Sequence, residues 1–189
     1  MLLKFIEELG KYIVIAGFKE VKIKNIEDFL ARIQEEKVLN SHIQFFDARF
    51  VATWRHLYFA GLNALIAFKN NCNISRNVAI ESMLYASAQR QIRKALNFLG
   101  VRRDSSEMAV MIITEEQDFA QSALSNISKQ IEGKLDNAVL ALSKKKIIAI
   151  RKIFGISDVE LEAIMKKDDA EEALLDLVME RMALLATQH

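Results

Sequence analysis

Five cations crowd into fifteen residues of this chain. Arg90, Arg93, Lys94, Arg102 and Arg103 lie between Gln89 and Arg103, and the first acid after them is Asp104. Arginine offers bidentate geometry to phosphate oxygens, and the amides of Gln89 and Gln91 can read base edges or riboses. The stretch is expected to open a helix at Ser87 or Gln89, where unpaired backbone N–H groups favour an anion. Such a segment suits the phosphates of a single-stranded RNA end. A solvated basic helix face followed by a basic loop accounts for the same residues.

Catalytic patterns are missing around it. The six glycines never lie within two residues of each other, so there is no phosphate-cradling loop. Neither a G-x-S-x-G elbow nor H-E-x-x-H nor C-x-x-C occurs. Of His42, His56 and His189, no two have metal-ligand spacing on one element, and neither a metal nor a cofactor is expected. Cys72, between Asn71 and Asn73, has no histidine motif to activate it. An acid–base pair of His56 with a carboxylate such as Glu81 remains as an enzymatic alternative, requiring both in one concave pocket. For His56 by itself, a locally hydrogen-bonded histidine at the core edge is the plainer reading.

The elements that must position these residues follow from periodicity and capping chemistry. Tyr12–Lys24 reads as strand, with Gly17 as a bulge or bend. Asn25 caps a helix running to about Lys37. Residues 43–48 form a second strand, and Thr53 opens a long helix to about Asn70 that is apolar on most sides. Ser75 or Asn77 starts the next helix. A further one ends at Gly100 in the C′ position, with Ile92 in the core. Met108–Ile113 is a third strand, Thr114 caps a helix, and Asn137–Leu142 is a fourth strand. From Lys144 the chain is helical, interrupted near Gly155 and around Lys166–Asp169. The fold class is α/β (α+β): a small mixed sheet of about four strands covered by helices, with a helical tail. One domain spans 1–189, with its α/β core at 11–143 and a helical region at 144–189.

Composition narrows the function. Lys and Arg number 26 against 25 Asp and Glu, so this is no generic polyanion-coating protein. A single cysteine and no proline fit a reducing, cytoplasmic setting with short loops, and neither a signal-peptide core nor a membrane span is apparent. On a helical wheel, the last helix, from Glu171 to about Thr187, carries two apolar arcs. One holds Leu174, Leu175, Val178, Met179, Met182 and Leu185; the other holds Ala173, Leu177 and Leu184. Two arcs suggest that one faces the domain and the other a partner; a helix sandwiched within its own fold shows the same pattern.

Several segments together resemble the small PRPK-binding subunit family of the KEOPS complex. They are Gln44-Phe45-Phe46-Asp47-Ala48, His56-Leu57 with Ala60, Glu81, the run Ser87-x-Gln89-Arg90-Gln91-Ile92, Gly100-Val101 and the leucine-rich last helix. The resemblance spans about Gly17 to Leu185. Ala88 departs from it at a position where glycine is expected, and Met1–Lys11 lies outside the shared core. KEOPS installs threonylcarbamoyl on the adenosine next to the anticodon, with the transfer chemistry in another subunit. The resemblance therefore implies a non-enzymatic subunit that binds and stimulates the PRPK-type kinase/ATPase and recruits tRNA by its 3′ CCA end. Carried onto this chain, Ser87, Gln89, Arg90, Gln91 and Arg93 would meet the tRNA tail, with Arg102, Arg103 and Arg55 extending the path. Leu174, Leu177, Val178, Met182 and Leu185 would meet the kinase. A protein-only adaptor is the remaining alternative.

Overall fold

The computed structural model describes residues 1–35, 41–166 and 169–187. Strands β1 (Leu2–Ile6), β2 (Lys11–Lys19), β3 (Ser41–Asp47) and β4 (Glu107–Thr114) form a sheet in the order β1-β2-β4-β3. The two-residue β5 (Lys134–Leu135) continues the β1 edge by pairing with Phe18 and Lys19. The α+β class stands, and the sheet is antiparallel at every pairing rather than mixed.

The central strands are apolar on both sides and are covered on both sides. Ile13 and Ile15 of β2 share one face with Ala109, Met111 and Ile113 of β4. Val14, Ala16 and Phe18 share the other with Met108, Val110 and Ile112. Side chains alternate across a strand, so each strand feeds both cores. Each large side chain fully removed from water stabilises the fold by roughly 1.5–3 kcal/mol. Helices α1 (Ile26–Glu35) and α5 (Gln117–Gln130) close the second face. The first face carries α2 (Trp54–Lys69), α3 (Val78–Ser87), α4 (Ile92–Leu99), α6 (Lys144–Phe154), α7 (Asp158–Ile164) and α8 (Ala170–Thr187).

Local chemistry sets most helix starts. Asn25, Thr53 and Asn77 accept the expected N-terminal amide bonds of α1, α2 and α3. Helix α2 lies against the sheet because Gly61 adds no side chain there; a Cβ would sit 2.9 Å from Met111 Sδ and 3.0 Å from Ile13 Cδ1. The expected end of α1 near Lys37 lies outside the described residues.

Several expectations change, each for a physical reason. Residues 137–140 form a 3-10 turn, not a strand: Asp136 accepts the Ala138 N–H at 2.9 Å, and the adjacent Val139 and Leu140 both enter the first core. A strand would send them to opposite faces. The true additional strand is β1, from the N-terminal segment. After Lys19, Glu20 takes a left-handed conformation and ends β2. Val21 and Ile23 still point inward, but the Val21 and Lys22 amides bond to loop carbonyls of Ser106 and Glu132. Gly17 is regular strand; its lack of a side chain admits Val139, whose Cγ2 would lie 2.5 Å from a Cβ. Gly100 is extended, at φ −67° and ψ 146°, and its requirement is close approach to the Leu96 carbonyl. Thr114 ends β4, and α5 starts after Glu116 without a side-chain cap.

Helix α4 starts at Ile92, later than expected, because α3 runs through Ser87 and closes with a left-handed residue, Ala88 (φ 52°). Ala88 N–H bonds to Tyr85 O and Gln89 N–H to Leu84 O, the paired pattern of a Schellman stop. Residues 89–91 then turn the chain, which leaves Ile92 exposed rather than in the core.

The left-handed conformation costs an alanine about 1 kcal/mol, which explains a preference for glycine at this position. Ala88→Gly is therefore expected to raise the unfolding free energy by roughly 0.5–1 kcal/mol, with part of the relief offset by a freer unfolded chain. Urea unfolding checks this, with Ala88→Val expected to move stability the opposite way.

Candidate nucleic-acid and partner interface

The basic segment folds as the α3–α4 turn, α4 and the loop before β4. Arg90, Gln91, Arg93, Lys94, Arg102 and Arg103 are exposed, and Gln89 is half-buried. Helix α4 buries only Ala95 and Leu99, so its outer side presents Ile92 and Leu96 to solvent among those cations. The first turn of α4 contains no acid and its N-cap makes no side-chain bond. The result is a ridge with positive charge and an exposed apolar strip.

Two expected members are elsewhere. Ser87 is fully buried, and its hydroxyl donates to Met83 O at 2.8 Å and Leu84 O at 3.2 Å. It is part of the α3 end, not of a contact surface. Arg55 is paired with Glu172 of α8 through two bonds of 2.8 and 2.9 Å, so it ties α2 to α8.

Beneath the loop lies a network absent from the sequence reading. The Asp47 carboxylate is fully buried and accepts from the Arg49 backbone and guanidinium, including a 2.6 Å bond from Nη2, and from Ser105 Oγ at 2.7 Å. Arg49 also reaches Asp104 at 3.2 Å, and Ser105 Oγ accepts the Arg102 N–H at 2.9 Å. Hydrogen bonds to Asp47, chiefly, raise the Arg49 pKa, and Arg49 in turn lowers that of Asp104. Arg102 donates to Asn97 O and lies over the Phe50 ring at 5.9 Å. The loop that displays Arg102 and Arg103 is thus fastened at its base. The signal available was Asp47 followed by Arg49 at a strand end, an Asx-type turn pattern.

His56 and Glu81 do not form an acid–base pair. His56 is completely buried; its Nδ1 accepts the Ala52 N–H at 3.2 Å, which leaves Nε2 to donate to Ala86 O at 2.7 Å. Burial, ahead of smaller effects, pushes its pKa down to about 4, so the ring is neutral at pH 7. Glu81 accepts the Ile74 and Ser75 amides at 3.0 and 2.6 Å and organises the loop before α3.

The proposed partner residues Leu174, Leu177, Val178, Met182 and Leu185 are all buried in the first core, as are Ala173 and Leu175. Both wheel arcs of α8 face its own domain because α2, α3, α6 and α7 pack around it. Of the large residues only Leu184 is plainly exposed, joined on neighbouring α6 and α7 by Ile148 (69% exposed) and Val159 (76%).

Fold and site together define an α+β protein whose catalytic-type side chains hold the architecture while its surface carries a basic ridge and exposed apolar residues. The model of the family described as kinase binding protein CGI-121 matches residues 18–186, and the chain belongs to that family. It is also 31% identical over 127 residues, covering 67% of this chain and 79% of the relative, to the regulatory protein Cgi121 of Methanocaldococcus jannaschii. Among the described residues no helix is long and apolar enough to cross a membrane.

The buried imidazole makes folding proton-sensitive. The unfolded chain takes up a proton near pH 6.5, which the folded chain refuses until about pH 4, so this contribution is full above 6.5 and is lost as pH falls through that window. Wild-type stability is expected to drop, from this group, by roughly 2 kcal/mol between pH 7 and 4.5. His56→Gln should be less stable at pH 7 yet show a correspondingly shallower decline; parallel urea titrations of both proteins check it.

Proposed function

We propose that this chain is a regulatory subunit of a KEOPS-type tRNA-modifying assembly. In this reading it binds and stimulates the PRPK-type kinase/ATPase and recruits tRNA by its single-stranded 3′ CCA end. Family membership supports the kinase partner. The observation that carries the RNA half is the ridge of α4: Arg90, Arg93 and Lys94 beside exposed Ile92 and Leu96, continued by Arg102 and Arg103. Cations address phosphates without regard to sequence, and an apolar strip between them accepts the faces of unstacked bases. Gln89 and Gln91, at the turn before α4, stand where amides meet the same tail. The transfer chemistry belongs to another subunit, and this one acts by binding.

The kinase contact belongs to the outer apolar residues of the C-terminal helices, Ile148, Val159 and Leu184. The five buried residues of α8 support that surface from within, since they are the residues that dock the helix on the sheet-covering layer. Apolar side chains this exposed suit the core of an interface rimmed by the charges of α6 and α7.

Arg90→Ala with Arg93→Ala should lower tRNA affinity about tenfold and flatten the dependence of log K on log salt by roughly 1 to 2, with kinase binding intact. Unchanged tRNA binding would remove the RNA role and leave the protein-only adaptor. Equal binding of tRNA lacking its 3′ tail would remove the CCA assignment. Separately, Val159→Asp with Leu184→Asp should abolish co-purification with the kinase subunit while thermal unfolding stays near wild type. Undiminished co-purification would place the interface elsewhere. Val178→Asp, by contrast, should unfold the domain, because it buries an unpaired charge.

A further inference from the structure

Lys146 is a buried cation at the start of α6. Its side chain, with the residue 7% exposed, makes one hydrogen bond, from Nζ to the neutral carbonyl of Val139 at 2.8 Å. Among the described residues no carboxylate forms an ion pair with it; Asp47 is engaged by Arg49 and Ser105, and Asp47 and Glu107 act on it only at a distance. An ammonium has three donors, and a buried charge without a counter-ion is costly. Burial lowers the Lys146 pKa to about 8, which is the mark of that unpaired state.

Lys146 lines a cavity of about 550 Å³. Its rim bears Lys19, Arg49 and Lys145 against two acids, Glu107 and Asp136, and Asp136 is already held by Lys19 at 2.7 Å. With Lys19 neutralised by Asp136 and Arg49 by Asp47, Lys145 and Lys146 stand against Glu107, which leaves one positive charge in excess. The cavity also receives the first turn of the eleven-residue α6, which contains three lysines and no acid. Cations at a helix N-terminus oppose its dipole, so the helix end and the excess cation together favour an anion. The remaining wall is apolar: Phe50, Val139, Leu142 and Ala149. A bare phosphate would leave that wall uncovered, and cavities of this size suit a small organic ligand.

We propose that this cavity binds a free phosphate monoester of mononucleotide size, with its phosphate on Lys146 and Lys145 and its organic body against Phe50 and Leu142. The site does not depend on the kinase or RNA reading. Its floor comes from β2, the 3-10 turns at 48–50 and 137–140, and α6, whereas the RNA ridge comes from α4 and the loop after it.

Calorimetric titration of the full chain with AMP, inorganic pyrophosphate and adenosine tests the proposal. AMP and pyrophosphate should bind saturably, and adenosine about tenfold more weakly than AMP or not at all. Lys146→Met should lower AMP affinity about tenfold while leaving tRNA binding unchanged, and Lys145→Glu, an exposed change that does not threaten folding, should do the same. Absence of AMP and pyrophosphate binding, or equal affinity in both variants, would overturn it. Loss of tRNA binding together with AMP binding in Lys146→Met would also overturn it, because the site would then belong to the RNA. Failure of the Arg90 and Arg93 variants to affect tRNA concerns only the earlier reading.

Discussion

The arrangement of the helical layer depends on one buried imidazole. His56 stands in the first turn of α2, accepts the Ala52 amide and donates to Ala86, whose carbonyl is among the orphan acceptors at the end of α3. The Phe154 ring of α6 meets it edge-on at 5.8 Å. Three helices are thereby fixed to one neutral side chain with both ring nitrogens in use. The left-handed stop at Ala88 follows two residues after that anchor, and it sets the direction in which the chain leaves for α4. The orientation of the basic ridge is thus a consequence of interior hydrogen bonding, since nothing on the ridge itself determines where it points.

Charge is distributed by the same logic. The chain is nearly neutral, yet its acids and cations do not cancel locally. The two fully buried carboxylates among the described residues are occupied, Asp47 by Arg49 and Ser105 and Glu81 by backbone amides, and the exposed Glu172 is held by Arg55. Cations cluster at two places, on the α4 ridge and around Lys146. Both lie against the Asp47 network, which rigidifies the loop carrying Arg102 on one side and the turn carrying Phe50 on the other. Rigid presentation lowers the ordering cost of binding, so the investment in a buried carboxylate suits a protein whose work is recognition.

Much of the fold was legible from residue pattern. The β2, β3 and β4 cores, the caps Asn25, Thr53 and Asn77, the central position of α2 and the breaks near Gly155 and Lys166 follow from local propensity and periodicity, which act over a few residues. The turn at 137–140 was misassigned because five apolar residues in six look alike in a strand and in a turn lying on a core; only the packing of Val139 and Leu140 on one side distinguishes them. The N-terminal strand was missed because Leu2-Leu3-Lys4-Phe5-Ile6 is short and lacks the period-two alternation of a half-buried strand. Its pairing with β2 supplies what its own sequence does not.

For function the division is similar. Sequence alone determined that cations concentrate between Arg90 and Arg103 and that the glycine-loop, G-x-S-x-G, H-E-x-x-H and C-x-x-C motifs are missing, because composition and spacing are properties of the chain before it folds; the family came from resemblance to related chains. Tertiary structure decided which side chains remain available. It withdrew Ser87 and Arg55 from the ridge, buried most of both arcs of α8 but left Leu184 outside, committed His56 and Glu81 to backbone amides and carbonyls, and exposed Ile92. It also buried Lys146 against the Val139 carbonyl at the edge of a cavity that no linear motif marks. Availability is a matter of solvent access and of partners distant in sequence, and those exist only once the helices have packed.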